Sequence, residues 1–306
     1  MRLKYLPVDF KIKFSEPAIV DTNPLFILRS MLGKHLRSMC CISRNTNCPE
    51  CMYNKTCAYA YIFETILSQE NSVLPGTDRG SHPFAFSTKK SKKDNPISEY
   101  DFTITLFGKA IEYLPYIYAV FVRSGRDGVF KNRTTFTVED VQVAGSSILL
   151  DENQISTNFD VCEWYFDTSQ TNDSSETREI LVELKSPLRF KYGGKYGVDF
   201  SPTDLMRCLY RRCKSLCSLY GDYYENEYIP SPDLQFIDKK IRWIDYNHYS
   251  ARQKKSMELG GSIGTFKIAG NFTQFEIFML KLNKLANAGK NTNFGLGQID
   301  YWIREI

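Results

Sequence analysis

Three histidines, His35, His82 and His248, are the side chains of this 306-residue chain that ordinarily take or give a proton near neutrality. His35 stands in Lys34-His35-Leu36-Arg37, between two cations. His248 opens His248-Tyr249-Ser250-Ala251-Arg252-Gln253-Lys254-Lys255, where an imidazole, a phenol and cations together can position a phosphate or assist proton transfer. His82, in Ser81-His82-Pro83-Phe84, reads as a strand-edge residue without a role.

A second feature is the loop Gly289-Lys290-Asn291-Thr292-Asn293-Phe294-Gly295-Leu296-Gly297. Its glycines open backbone angles closed to other residues and leave main-chain amides bare for a phosphate or sugar oxygen. A nucleotide P-loop is excluded, because Lys284 replaces its first glycine and Asn291 its hydroxyl. A dinucleotide fingerprint begun at Gly295 fails at Asp300, so neither ATP nor NAD is expected. A turn that merely caps a helix and starts a strand would use the same glycines.

The chain has nine cysteines, five of them between Cys40 and Cys57. An odd, crowded set suits reduced thiols and a metal better than a disulfide framework. Cys40, Cys48, Cys51 and Cys57 are the expected ligands of a structural zinc, with Cys48 and Cys51 as the Cys-x2-Cys knuckle. An iron-sulfur cluster and plain buried thiols are the alternatives. Cys208, Cys213 and Cys217 read as small core residues.

Composition excludes little. A formal charge of +4 favours a polyanion only where cations cluster, as in Lys89-Lys90-Ser91-Lys92-Lys93, a run that is either a solvated loop or a nucleic-acid contact. No apolar run is long enough to span a membrane, and the first residues lack a signal peptide's apolar core, so a cytoplasmic protein without a membrane partner is expected.

The elements that must position these residues follow from local pattern. Lys11 to Phe14 alternates as a strand, and Asn23-Pro24 caps a helix running to about Cys40. Leu25, Leu28, Leu32, Leu36 and Met39 form its buried stripe, His35 lies at the stripe's partly exposed margin, and Arg29, Lys34 and Arg37 face solvent. Asp101–Phe107 is a strand, Leu114–Val122 a helix, Gly125–Gly128 a turn and Thr134–Val138 a strand. Asp167 to Glu179 is polar and reads as a linker or hairpin tip. The order then recurs: strand Ile180–Leu184, a helix capped by Ser201-Pro202 and running through Tyr220, strand Ser262–Ile268, helix Phe272–Leu285, the glycine loop, and strand Gln298–Ile303. Arg207, Arg211 and Lys214 share one face of the Ser201-capped helix. The repeated order predicts an α+β chain of tandem ferredoxin-like (RRM-like) domains, 1–166 and 180–306, with a Cys-rich insertion after the first helix.

This arrangement resembles the RAMP superfamily of CRISPR systems, and within it the endoribonuclease that cuts precursor CRISPR RNA inside its repeats. The resemblance is carried by Leu28-Arg29-Ser30-Met31-Leu32-Gly33-Lys34-His35-Leu36 and the cysteine cluster after it, by Thr105-Leu106-Phe107-Gly108 and Leu114-Pro115-Tyr116, and by His248 to Gln253. Gly260-Gly261-Ser262-Ile263-Gly264, Gly289-Lys290 and Phe294-Gly295-Leu296-Gly297 complete it.

The resemblance implies metal-independent cleavage by attack of the 2′-hydroxyl, leaving a 2′,3′-cyclic phosphate and a 5′-hydroxyl. Many members keep a histidine in or just after the first helix as acid or base, the place of His35 here; a histidine packed at the core margin would look the same. Where members commonly carry arginine this chain has His248, so His248, with Tyr249, either shares the chemistry or contacts the backbone. The RNA-binding set so implied is Arg29, Lys34, Arg37, Arg252, Lys254, Lys255, Gly289, Lys290, Asn291, Gly295 and Gly297. The expected partners are a CRISPR repeat transcript and other CRISPR-associated proteins. A RAMP subunit that holds RNA without cutting it would show the same loop and basic faces.

Overall fold

The computed structural model describes residues 1–20, 22–67, 80–89, 96–167, 175–223, 228–250 and 255–305, with backbone alone at 247–250, 255–257 and 305. The chain divides into two compact units, Lys4–Glu163 and Met1–Leu3 with Trp164–Ile306.

The first unit is built on β1 (Arg2–Ala18), α1 (Pro24–Cys40), β2 (Phe84–Ser87), β3 (Ile97–Phe107), α2 (Leu114–Asp127) and β4 (Phe136–Val143). The short strands β5 (Ser146–Ser147), β6 (Leu149–Asp151), β7 (Gln154–Ile155) and β8 (Cys162–Tyr165) follow. Its sheet runs β2-β3-β1-β4-β5 with antiparallel neighbours. β1 shows why: Leu6, Val8, Phe10, Ile12 and Phe14 are buried while Lys11 and Lys13 are exposed, the two-residue period of a half-covered strand. Phe10 stacks on its cross-strand partner Phe102 with ring centroids 5.2 Å apart.

The Asn23 side chain accepts the Leu25 amide to cap α1, and Leu25, Leu28, Leu32 and Leu36 form the buried stripe as expected. Met39 does not: it is 39% exposed, on the last turn before the cysteine segment. The turn predicted from Gly125 is also displaced. Gly125 belongs to α2, where a Cβ would stand 2.1 Å from the Phe136 carbonyl oxygen, so the residue serves close helix-strand approach and the chain turns at Gly128.

The second unit contains β9 (Glu176–Leu188), α3 (Pro202–Tyr220), β10 (Gln235–Ile244), the hairpin β11 (Asn247–Ser250) and β12 (Lys255–Glu258), β13 (Gly261–Phe272), α4 (Gln274–Ala286) and β14 (Ile299–Glu305). Its main sheet runs β10-β13-β9-β14, again antiparallel. Capping boxes start both helices, Ser201 with Asp204 and Thr273 with Glu276. Residues 176–179, expected outside the strand, open β9. Thr177 donates to Asn271 at 2.7 Å and Glu179 pairs with Lys267 at 3.2 Å, so polar cross-strand partners hold an end that an apolar pattern would not mark.

The principal strands of both units, counted along the chain, lie in the same order: second, third, first, fourth. In each unit, helices follow the first and third of these strands. No described helix is long and apolar enough to cross a membrane.

Candidate nucleic-acid interface

In the first unit His35 sits on the buried face of α1, 2% exposed rather than at a partly exposed edge. The reason is helical spacing: three residues after Leu32 and next to Leu36, it falls inside the apolar stripe. Its Nε2 is 3.7 Å from Asp127 Oδ2 at the end of α2, and that nitrogen is buried without a hydrogen-bond partner among the described residues. Burial, followed by the Lys34 charge, pushes the imidazole pKa down; Asp127 opposes and Arg123 reinforces the fall. The ring is therefore neutral at pH 7, with a nitrogen uncommitted.

Lys34 and Arg37 are exposed as expected. Arg29 is not turned to solvent: it is half-buried, its guanidinium 5.1 Å from the Phe63 ring centre. Arg37 lies over Tyr59 at 5.9 Å, so aromatic residues beyond the cysteine segment receive both arginines. His82 packs edge-on against Phe63 and Phe84.

Cys40, Cys41, Cys48, Cys51 and Cys57 are free, half-buried thiols. Among the described residues no group of three or more His, Cys, Asp or Glu side chains is placed to hold a metal ion, so Cys40, Cys48, Cys51 and Cys57 do not form a ready-made site. Backbone turns shape the segment instead: the amides of Cys51, Asn54 and Cys57 donate to the carbonyls of Cys48, Cys51 and Tyr53. Burial raises the thiol pKa values of Cys40 and Cys48.

In the second unit the glycine-rich loop differs from the expected row of bare amides. The Ala288 amide donates to the Gly297 carbonyl at 2.7 Å, Gly297 to Pro187 at 2.9 Å, Lys290 to Arg189 at 2.7 Å, and Gly295 to Thr292 at 3.0 Å. The Gly289 amide is directed at the Cys208 thiol. Positive φ angles of 76°, 81° and 75° at Gly289, Gly295 and Gly297 thus close the loop on itself and on the end of β9. Among the described residues the amides of Asn291, Thr292 and Asn293 take no part in these bonds; Thr292 and Asn293 are buried, and half-buried Asn291 lies beside the exposed Lys290.

The loop has an anchor that sequence reading missed. Arg207 and Arg211 are exposed on α3, but Arg212 is buried and donates to the carbonyls of Ala286, at 2.8 and 3.3 Å, and Asn287, at 3.3 Å. It thereby closes the electronegative C-terminus of α4 just ahead of the loop. Burial lowers its pKa to about 10, leaving it charged. The available signal was an arginine within the stripe of Leu205, Leu209, Cys213 and Leu216. Cys208, Cys213 and Cys217 are buried core residues, as read.

His248, Tyr249 and Lys255 lie on the hairpin, where His248 pairs with Met257, Tyr249 with Ser256 and Ser250 with Lys255. Arg252 and Lys254 fall outside the described residues. The turn after β9 was also passed over, although its cations and rings alternate. Tyr192 and Lys195 exchange backbone hydrogen bonds of 3.0 and 3.1 Å around Gly193-Gly194. The Arg189 guanidinium lies 4.0 Å from the Tyr196 ring centre and donates to the Gly260 carbonyl at 2.8 Å.

Comparison with known proteins bears on this arrangement. Residues 3–159 match the AF_1859_N model, described as an N-terminal domain, and residues 182–299 match the model of the CRISPR-associated endoribonuclease Cas6. A Cas6 protein (TTHB231) in its product complex is similar with a TM-score of 0.53 at 12% identity, over 97% of this chain and 100% of that one. Thermus thermophilus Cas6 gives 0.51 at 12% identity, over 98% of this chain and 99% of that one. A chain of a partial Cas6-RT-Cas1–Cas2 complex gives 0.51 at 15%, over 99% of this chain and 46% of that one. At such identities the likeness is one of fold. No curated protein sequence matches the chain. The AF_1859_N model spans half of the chain, which belongs to that family, and over residues 182–299 the chain is similar to the CRISPR-associated endoribonuclease Cas6.

Proposed function

We propose that this protein cuts precursor CRISPR RNA within its repeats without a catalytic metal, through two tandem ferredoxin-like (RRM-like) domains. The family match over residues 182–299 carries the reading, and the recurrence of one strand order in both units supports the tandem arrangement. In the proposed reaction the 2′-oxygen bonds to phosphorus as the bond from phosphorus to the 5′-oxygen breaks. The 2′-hydroxyl proton goes to a base and the departing 5′-oxygen takes a proton from an acid.

His35 is the proposed base, because burial keeps its imidazole neutral and Nε2 is uncommitted. Once protonated it would gain the Asp127 carboxylate as a stabilising neighbour at 3.7 Å. His248 and Tyr249 on the hairpin are the proposed acid side. Lys34, Arg37, Lys290, Lys255, Arg252 and Lys254 would supply charge to the phosphates, with the Asn291 amide as a further donor. Arg29, Gly289, Gly295 and Gly297 would act by shaping α1 and the loop.

A structural zinc on Cys40, Cys48, Cys51 and Cys57 rests on their spacing alone. Cas1- and Cas2-type partners are proposed only by likeness to the assembly named above.

A second reading, an RNA-holding RAMP subunit that does not cut, is favoured by one observation: His35 is 2% exposed, and a base must meet its proton directly. Incubating the protein with a repeat RNA in EDTA, beside the same RNA with hydrogen for the 2′-hydroxyl at the cut site, separates the two. The cutting enzyme cleaves the first and not the second, and His35→Ala binds without cleaving. Intact RNA after incubation with a protein whose circular dichroism is unchanged by EDTA would establish the second reading; normal cleavage by His35→Ala would remove that residue from the chemistry.

A further inference from the structure

We infer that the turn between β9 and α3 is a stacking subsite for an unpaired nucleotide of RNA, a specificity element resting on the RNA-processing reading above. Single-stranded nucleic acid is gripped by flat rings on which bases lie and by cations that track the phosphates, and a guanidinium can itself serve as a stacking plane. Both kinds of group meet here within one unit. Arg189 and Lys191 lie over Tyr196 at 4.0 and 5.5 Å, Lys195 lies over Tyr192 at 5.8 Å, and Trp243 of β10 stands 6.4 Å from Tyr196.

The rings are set in place before any ligand arrives. The Tyr192 hydroxyl accepts the Asp199 amide at 3.1 Å, and the Trp243 indole donates to Asp245 at 2.9 Å. Tyr192, Tyr196 and Trp243 are half-buried, their bodies packed and their remaining surface open, while Lys191 and Lys195 are exposed. Arg189 is bonded to the Gly260 carbonyl, whereas the exposed Lys191 and Lys195 make no ion pair among the described residues, so their charge is available to phosphate. A turn kept only for packing would need the rings and the Arg189 bond to Gly260, but not two exposed lysines beside them.

The position is also apt. The Arg189 carbonyl accepts the Lys290 amide, and the Pro187 carbonyl accepts that of Gly297, so the turn springs from the segment on which the glycine-rich loop is latched. A nucleotide stacked here would place its phosphate near Lys290.

The test uses the whole protein and two probes of equal length and charge: a ten-nucleotide adenosine oligoribonucleotide, and a ten-unit ribose-phosphate chain without bases. Stacking of one or two bases predicts that the wild type prefers the first by about 10- to 100-fold in Kd. Tyr192→Ala/Tyr196→Ala should lose most of that preference while binding the abasic chain as the wild type does. Tyr196→Phe, which keeps the ring, should retain it and so controls for folding. Equal binding of both probes by the wild type overturns the stacking subsite and leaves RNA binding standing. No binding of either overturns both; an undiminished preference in the double variant overturns the subsite alone.

Discussion

Replacing Gly297 by alanine tests whether the glycine-rich loop is held by backbone contact, with Gly194→Ala as its internal control. Both glycines have left-handed backbones, with φ of +75° at Gly297 and +81° at Gly194. Either substitution therefore incurs the left-handed penalty of about 1–2 kcal/mol, offset by about 0.4–1 kcal/mol from a stiffer unfolded chain. Their surroundings differ. A Cβ at Gly194 meets nothing within 4 Å, whereas at Gly297 it stands 1.8 Å from the Ala288 carbonyl oxygen, far inside contact distance. Relief requires moving the Ala288–Gly297 pair, whose 2.7 Å hydrogen bond closes the loop; exposing such buried groups costs about 1–3 kcal/mol. Gly194→Ala should thus lose about 1 kcal/mol and Gly297→Ala about 2 to 4 kcal/mol in urea unfolding. Only Gly297→Ala should also speed hydrogen exchange at the Lys290 and Gly297 amides. Equal losses in the two variants would show that the loop tolerates the contact and that its latching has been misread.

Three further outcomes can be measured. Burial depresses the folded pKa of His35 below 6.5, so as pH falls through about 6.5 the unfolded chain takes up a proton that the folded chain refuses, and stability drops by up to about 1.4 kcal/mol per pH unit. His35→Gln should flatten this part of the stability curve between pH 7 and 5, and an unchanged slope would mean that His35 titrates normally. Arg212→Met should cost about 2 to 3 kcal/mol by stranding the carbonyls of Ala286 and Asn287 at the end of α4; a loss below about 0.5 kcal/mol in chemical unfolding would deny the anchor. If the cysteine segment takes up zinc, the protein purified without air should carry one equivalent by elemental analysis and lose it in Cys48→Ser/Cys51→Ser, whereas zinc-free wild type would end that proposal.

Local chemistry wrote much of the fold into the sequence. Asn23-Pro24 and Ser201-Pro202 announced α1 and α3, and the α3 helix ends at Tyr220 as expected, because capping and helical period act over a few neighbouring residues. The other main strands and the helices were legible for the same reason, but the second strand of each sheet, β2 and β10, was not among the strands read from the sequence. Tertiary structure alone decided the fate of the functional groups. It buried His35 against the end of α2, which the two flanking cations in sequence had suggested would be open. It spent most of the glycine loop's amides on Pro187, Arg189 and the loop itself. It also brought Arg212 onto carbonyls more than seventy residues away and set Trp243 beside Tyr196. A hydrogen bond or ring contact between segments distant in the chain has no period and no fixed spacing, so no pattern along the sequence can carry it; only the packing of the elements brings the partners together.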